Sequence, residues 1–481
     1  MPLHPCSTTH ETEGGLHGRP QLPLCRDLRV HRTFPERGRP NDEVLAEIRH
    51  MADAERVHWN TGKASGTLYS GDEDHYEYMA EAFAMFGHMN ALQRDLCPSV
   101  TKFEGEIIAM TLDMLGAGAI ADSEPAGLVT TGGTGSILHA MLAYRIAGST
   151  RGVTRPNVVK AASAHPAFDK ACFLFGMEMR TAPLDPETTQ VDVAAMAEFV
   201  DDQTVALVGS AGNYPYGTID DIEAMSDLAL ERGVGLHVDG CLGGFILPWG
   251  RDLGYDIAPF DFSVPGVTTI SADTHKYGYG FKGTSVAAFR DKEMRNSVFY
   301  CLPEWTGGKY NSPGIDGSRS AGLLAATWAA LVGLGREGYR AYADEIFRTS
   351  YAMQAAVTAH PELRILGSPT FCFSFTSDEI DIYHVNDHLL SLGWRLNGQQ
   401  YPDAVHMAVT RPQTAPGVVE RWIDDLAAAV AYARAQPEDA RPLTGAIYGS
   451  VEGGLSAEAD EFIREQLTLY IERSLALPPE R

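Results

Sequence analysis

Several features are scarce or missing in this sequence of 481 residues. It has seven cysteines, which are widely spaced and contain no C-x-x-C pair, and this argues against a disulfide framework or a cysteine-based zinc site. It has no run of about 18 apolar residues, so we expect no membrane span. Lys and Arg number 38 against 63 Asp and Glu, and this balance argues against a sequence-independent nucleic-acid partner. We therefore expect a cytoplasmic protein with reduced thiols and no metal site.

The residue pattern divides the chain into four segments. Residues 1–33 are polar and lack the apolar core of a signal peptide, so we expect a disordered extension. Residues 34–116 carry apolar residues at helical spacing. Residues 117–335 form the expected large domain, and residues 336–481 form a smaller α+β domain.

The large domain alternates between two kinds of pattern. Six short β-branched runs are separated by helical stretches such as SILHAMLAYRIAG; the runs are GLVTT, NVVKAA, TVALVGS, GLHVD, TTISA and SVAAF. This alternation predicts an α/β fold with a mainly parallel central sheet covered on both faces. Ligands of such sheets bind at the carboxyl ends of the strands, so residues that follow the strands are the candidates for a site.

The first candidate is the glycine-rich TTGGTGS, residues 130–136, which follows a predicted strand and opens a predicted helix. Free amides and the helix dipole at such a turn favour an anion, so Gly133 and Thr134 predict a phosphate cradle rather than a plain tight turn. No G-K-[ST] follows, and the turn is therefore not a Walker A loop.

Three more candidates follow strands. Asp239 ends the apolar strand GLHVDG, where a buried carboxylate needs a partner, although a capping aspartate would look the same in isolation. His165 follows another strand and, taken alone, reads as an ordinary polar residue at a strand end. Lys276 lies in SADTHKYGYGFKGTS, residues 271–285, with Lys282 six residues further on; an arbitrary lysine in a loop is usually solvated.

Taken together, the four candidates match the needs of a phosphorylated heteroaromatic aldehyde. Lys276 supplies an amine for a Schiff base, and its reactivity rises when it is desolvated or lies near another cation. Asp239 keeps a pyridine nitrogen protonated, and the His165 ring stacks on the cofactor. The sequence therefore predicts pyridoxal 5'-phosphate (PLP) as the cofactor.

The chain resembles the PLP-dependent group II decarboxylases and, within them, the sphingosine-1-phosphate lyases. The resemblance runs from about residue 34 to about residue 446. It rests on the following motifs: SGTLYSGDEDH (65–75), PSVTKFEGEIIAM (98–110), TTGGTGS, SAHPAFDKA, PYGTIDDI (215–222), HVDGCLGGF (237–245), SADTHKYGYGFKGTS and YNSPGIDGSRS (310–320). It implies a fold-type I (aspartate aminotransferase-like) PLP enzyme of sphingolipid metabolism.

Roles for individual residues follow from the resemblance alone. Lys276 carries the cofactor and His275 lies near its phosphate. Gly317 and Ser318 belong to a GSR loop that reaches the cofactor of a partner subunit, which implies a homodimer with shared active sites. The substrate side is lined by Tyr69, Asn90, Gln93 and Lys282. Lys276, Lys282 and Tyr69 are the candidates for proton transfer.

The sequence departs from the family motifs at two positions. The cradle of the family reads T-G-G-T-E-S, whereas this chain has Gly135 in place of the glutamate. The lyases tend to read N-P-L-H where this chain has NALQ, so Gln93 replaces a histidine associated with the substrate phosphate. A glutamine donates a hydrogen bond without a charge, and charge-assisted hydrogen bonds are about twice as strong.

The leading hypothesis is a carbon–carbon lyase that cleaves a phosphorylated long-chain amino alcohol to an aldehyde and phosphoethanolamine by retro-aldol chemistry. An amino-acid decarboxylase on the same scaffold is the alternative, because both reactions use the same cofactor site. A non-catalytic paralogue that kept the fold is a third possibility, and the presence of Lys276, Asp239 and His165 disfavours it.

Overall fold

A computed structural model describes residues 30–56, 59, 61–437, 439–445, 449–450 and 455–477. The predicted extension at residues 1–33 lies outside this part of the chain, except for residues 30–33, which have no helix or strand. Among the described residues, no helix is long and apolar enough to cross a membrane.

A seven-stranded mixed sheet forms the centre of the large domain. Its strands are β1 (Ala126–Thr130), β2 (Asn157–Ala161), β3 (Glu178–Ala182), β4 (Thr204–Ser210), β5 (Gly235–Gly240), β6 (Val267–Ala272) and β7 (Ser285–Phe289). They lie in the order β1-β7-β6-β5-β4-β2-β3, and β7 runs antiparallel to both of its neighbours. The other pairings are parallel, so the predicted mainly parallel sheet is confirmed.

Helices cover both faces of this sheet. β1, β2 and β4 are buried along their whole length, as expected for strands covered on both faces. The helices of the large domain are α4 (Gly133–Thr150), α5 (Ala167–Phe175), α6 (Val193–Glu198), α7 (Ile222–Arg232), α8 (Leu247–Asp252) and α9 (Lys292–Ser297). The preceding segment supplies α1 (Asn41–Arg56), α2 (Glu73–Phe86) and α3 (Ser99–Met114).

A smaller α+β unit follows the large domain. A hairpin of β8 (Tyr300–Leu302) and β9 (Tyr310–Ser312) leads to the long helix α10 (Ala321–Thr358). A four-stranded antiparallel sheet then forms from β10 (Arg364–Ile365), β11 (Cys372–Thr376), β12 (Asn397–Gln399) and β13 (Ala404–Ala408). Its helices are α11 (Ile382–Ser391) and α12 (Val418–Arg434), and α13 (Ala457–Leu475) lies nearest the C-terminus.

The predicted domain boundary at 335/336 falls inside α10. This helix is interrupted at Gly335, whose φ of 57° and ψ of 179° are not helical. The four-segment division stays a prediction, but the interruption coincides with its last boundary.

Candidate active site

The glycine-rich turn forms a cradle at the end of β1. Gly132 has a φ of +129°, a conformation that favours glycine, and α4 begins at the next residue. The amide of Ser136 donates the first intrahelical hydrogen bond to Gly132 O at 3.0 Å, so the amides of residues 133–135 have no acceptor within the helix. A Cβ on Gly133 would lie 2.8 Å from both carboxylate oxygens of Asp273. Asp273 thus packs directly against Gly133, and the backbone of residues 132–135 lines a cavity at the start of α4.

Asp239 is held rigidly at the end of β5. Its Oδ1 accepts hydrogen bonds from the Cys241 amide at 3.0 Å and the Ser271 hydroxyl at 3.2 Å. The residue is only 8% exposed, and it lines the cavities on both sides of the strand end. The carboxylate therefore lies beside the cradle.

His165 lines the same two cavities. Its Nδ1 accepts a hydrogen bond from the Ala167 amide at 3.1 Å, so in the neutral ring the proton is on Nε2. This contact with the first turn of α5 fixes the ring at the strand end.

Lys276 lies in the loop between β6 and β7. Its Nζ pairs with Asp273 Oδ2 at 3.0 Å, and Asp273 Oδ1 is buried without a hydrogen-bond partner. Burial alone would lower the pKa of Lys276, but the surrounding groups, with Asp273 first among them, together outweigh burial and the pKa is raised. Nδ1 of His275 donates to Thr284 O at 2.5 Å, and His275 lines the cradle cavity as predicted.

Asp273 is the site residue that sequence reasoning missed. Its side chain is only 2% exposed and touches both the cradle and Lys276. The available signal was a carboxylate three residues before Lys276, but short-range spacing in a loop does not show which way the side chain points.

Tyr69 and Lys282 face a second cavity of about 280 Å³, which adjoins the cradle cavity of about 520 Å³ at Lys276. Nζ of Lys282 lies 4.4 Å from the centre of the Tyr69 ring. Desolvation, with a contribution from the charge of Lys276, lowers the pKa of Lys282 to about 8, although the residue as a whole is exposed. Desolvation raises the pKa of Tyr69, which keeps its hydroxyl protonated.

Four predicted residues do not line either cavity: Asn90, Gln93, Gly317 and Ser318. They lie together instead. Nδ2 of Asn90 donates to Ser318 Oγ at 2.9 Å, and the Ala91 amide donates to Arg319 O at 2.8 Å. Gln93, Gly317 and Ser318 are exposed, and we call this region the Asn90–Ser318 surface.

The base of the Asn90–Ser318 surface is fixed by a buried ion cluster. Glu104 is 5% exposed and accepts hydrogen bonds from Arg319 Nη1 at 3.1 Å and from Arg94. Arg319 thus points inward while its neighbour Ser318 remains on the surface.

These residues fit PLP. The first amides of α4 have no acceptor within the helix and line the cradle cavity, which suits a phosphate group. Asp239 and His165 border the same space, and Lys276 supplies an amine. Among the described residues, no group of three or more His, Cys, Asp or Glu side chains could hold a metal ion.

Comparisons with known proteins agree with this site. Residues 25–375 match the pyridoxal-dependent decarboxylase conserved domain. The sphingosine-1-phosphate lyase of Drosophila melanogaster is 38% identical over 429 residues, which is 88% of this chain and 78% of that protein.

Two solved structures are similar. The structure of a sphingosine-1-phosphate lyase from Burkholderia pseudomallei is 51% identical, with a TM-score of 0.88, and the match covers 95% of this chain and 100% of that one. Glutamate decarboxylase from Lactobacillus brevis, at 20% identity and a TM-score of 0.73, shares the fold over 86% of this chain and 97% of that one. The chain is thus a fold-type I, PLP-dependent enzyme that belongs to the pyridoxal-dependent decarboxylase family and, within it, to the sphingosine-1-phosphate lyases.

Proposed function

We propose that this enzyme cleaves a phosphorylated long-chain amino alcohol between its amine-bearing and hydroxyl-bearing carbons, giving an aldehyde and phosphoethanolamine. The observation that carries the proposal is the junction of two cavities at Lys276. One is a phosphate cradle, and the other is lined by Tyr69 and the ammonium of Lys282. A substrate with an amine, a neighbouring hydroxyl and a phosphate has a partner for each group there.

When bound, PLP supplies a carbonyl carbon for linkage to an amine and a protonated ring that takes up the electrons of the broken bond. The chain's own residues position it. The amides of residues 133–135 would hold the phosphate, Asp239 Oδ2 would accept from the ring nitrogen, and the His165 ring would cover one face. Lys276 Nζ would supply the amine that links to the cofactor.

Proton transfer falls to groups in the second cavity. Cleavage requires removal of the substrate hydroxyl proton and later protonation of the carbon that is left. In its neutral form, Lys276 Nζ would be a base for the first proton, whereas the Tyr69 hydroxyl stays protonated and donates a hydrogen bond. Lys282, as an ammonium, holds the substrate phosphate, which the uncharged Gln93 pairs with less strongly.

The weaker alternative is decarboxylation of an amino acid. This reaction requires a cation that fixes the substrate carboxylate, and none of the described residues lining the two cavities is an arginine. Because Lys282 is the cation that either reaction would use, the two reactions have to be distinguished by their products.

Product analysis of the holoenzyme tests the proposed reaction. The enzyme is incubated with a phosphorylated sphingoid base and, separately, with aromatic and acidic amino acids. Formation of long-chain aldehyde, absent in Lys276→Ala, supports the lyase. Release of carbon dioxide without aldehyde would establish the decarboxylase. Absence of a visible absorbance band after addition of PLP would contradict both.

We also propose that the enzyme is a homodimer in which each active site uses the Asn90–Ser318 surface of the partner subunit. The four residues of this surface are assigned to the site by the family resemblance, yet they lie outside the cavities of their own chain. A second copy explains both facts, because it brings the surface to the neighbouring cavity. The hydrogen bond between Asn90 and Ser318 then presents both residues together to the neighbouring active site.

Subunit complementation tests the shared site. Lys276→Ala and Ser318→Asp are each expected to be inactive, and mixed dimers should regain activity because one of their two sites carries neither substitution. Size-exclusion chromatography with light scattering provides the oligomeric state. If mixing restores nothing while mixed dimers form, the site is not shared.

We propose a cytoplasmic location as well. Cys97, Cys172, Cys241, Cys301 and Cys372 are free thiols, which is usual in reducing compartments. Cell fractionation with a tagged chain tests this, and recovery with membranes or outside the cell would contradict it.

A further inference from the structure

The segment between β9 and α10 forms a tight loop, residues 312–318, which we call the 312–318 loop. The Ser312 hydroxyl lies at 2.9 Å from Gly314 O and 3.3 Å from Asp316 O, so the loop is braced from within. Ile315 and Asp316 line the cradle cavity of their own chain, whereas Ser318 faces outward. The loop therefore connects the cradle of one subunit to the surface offered to its partner.

His139, which has no part in the proposed reaction, joins this loop to the cradle helix. Its side chain lies on α4, and the residue is only 3% exposed. Nδ1 donates to Gly135 O at 2.7 Å, and Nε2 accepts from the Ile315 amide at 3.0 Å. This pair of partners requires the neutral ring with its proton on Nδ1. A Cβ at Gly314 would lie 2.2 Å from Nε2, so a glycine is needed for this approach.

Asp316 makes a second connection to the cradle. Its Oδ1 accepts from the Thr131 hydroxyl at 3.1 Å. A side chain at position 135 would also face Thr131, because a Cβ on Gly135 lies 3.2 Å from the Thr131 hydroxyl. Position 135 is where the family motif carries glutamate. The carboxylate next to Thr131 thus comes from the loop in this chain.

We propose that His139 and Asp316 are positioning residues that latch the 312–318 loop to the cradle, and that Asp316 replaces the glutamate that the family motif has at position 135. The latch fixes where Ser318 is presented to the partner subunit. This last step rests on the shared active site proposed above, whereas the latch itself lies within one chain.

The latch depends on the protonation of His139. A second proton would place an N–H of Nε2 against the N–H of Ile315, and that contact would be lost. Burial lowers the pKa of His139; the facing charges are Asp316, which favours the cation, and Arg319, which opposes it. The contact is therefore intact at pH 7.5 and opens only below the ordinary histidine range near pH 6.5.

Hydrogen exchange with mass spectrometry on the holoenzyme tests the latch. In His139→Leu and in Asp316→Ala, amides of the 312–318 loop should exchange about 5-fold faster at pH 7.5, the effect of losing one hydrogen bond. His139→Gln, which keeps an acceptor, and the control Glu304→Ala, an exposed acid on the preceding hairpin, should match the wild type. Adding Gly135→Glu to Asp316→Ala should return a carboxylate to Thr131 and restore PLP affinity, while the loop stays less protected. Acceleration below pH 6.5, corrected for intrinsic exchange, should occur in the wild type and not in His139→Gln.

The outcomes separate the two proposals. Unchanged exchange in both single variants, with unchanged thermal stability, would overturn the latch. Failure of Gly135→Glu to restore PLP affinity in Asp316→Ala would overturn the replacement by Asp316. Uniformly faster hydrogen exchange across the whole chain would indicate general destabilisation and would also overturn the latch. The same variants are expected to bind PLP about 5-fold more weakly. Faster exchange with unaltered PLP affinity would keep the latch and refute its effect on the cofactor site.

Discussion

The assignment of Lys282 to the substrate phosphate makes a quantitative prediction. Its pKa is lowered to about 8, by desolvation first and by Lys276 second. The ammonium is therefore present below pH 8 and is lost above it. Because kcat/KM reports ionisations of the free enzyme, kcat/KM for the phosphorylated substrate should fall about tenfold per pH unit above pH 8.

The size of the effect follows from the contact that is lost. A hydrogen bond to a charged group contributes about 1.5–3 kcal/mol, which corresponds to about 10- to 150-fold in kcat/KM. Lys282→Met should lose this factor at pH 7. Lys282→Arg should keep most of the activity and lose the alkaline fall, because the pKa of arginine lies above 12. Gln93→His should recover part of the loss in Lys282→Met when the histidine is protonated.

The assay is steady-state aldehyde formation between pH 6 and pH 10. Lys292→Met is the control, since Lys292 pairs with Glu124 at an exposed position. The second ionisation of the substrate phosphate, near pH 6, affects every variant equally. The reasoning is refuted if kcat/KM rises through pH 8, as it would for a neutral lysine base, or if the alkaline fall persists in Lys282→Arg.

Three further predictions concern the scaffold. Gly217→Ala places a Cβ 1.8 Å from Cys372 O and should lower the free energy of unfolding by at least about 3 kcal/mol. Gly233→Ala, at a similar φ but with open space around the Cβ, should lower it by about 1 kcal/mol. Thermal unfolding distinguishes the two variants. Buried His237 has a pKa lowered to about 4 by desolvation, so the unfolded state alone gains a proton as the pH falls from 6.5, and about 3 kcal/mol of stability is lost by pH 4. When the free energy of unfolding is measured by urea denaturation at each pH, His237→Gln should remove this loss of stability between pH 6.5 and pH 4. An unchanged pH dependence contradicts the role of His237. Asp239→Asn should weaken PLP retention about tenfold, measured by dialysis and absorbance; wild-type retention would count against its role.

The sequence predicted the parts of the fold that local pattern determines. Buried β-branched runs gave the positions of β1, β2 and β4 to β7, and the rule that ligands bind at strand ends led to Asp239, His165 and Lys276. Strand β3 was missed, because its residues EMRTA are mixed in polarity and only one of them is buried at the edge of the sheet.

Other features depend on contacts between distant parts of the chain. The antiparallel direction of β7 is set by its neighbours β1 and β6 rather than by its own sequence. The ion pair of Asp273 with Lys276 required the shape of the loop. The separation of Ser318 from its own cavity was implied by the family resemblance, but no local pattern shows which surface a loop will occupy.

The interruption of α10 has a mechanical consequence. Before Gly335, the helix is tied to α3 by the Trp328 indole, which donates to Glu106 at 2.6 Å. After it, the Trp422 indole of α12 donates to Met353 O at 3.0 Å, and the Tyr339 hydroxyl donates to Gly278 O at 2.7 Å, two residues beyond Lys276. The interruption at Gly335 therefore divides α10 into two parts with different attachments. The first part is bonded to α3, and the second part connects α12 of the smaller unit to the lysine loop.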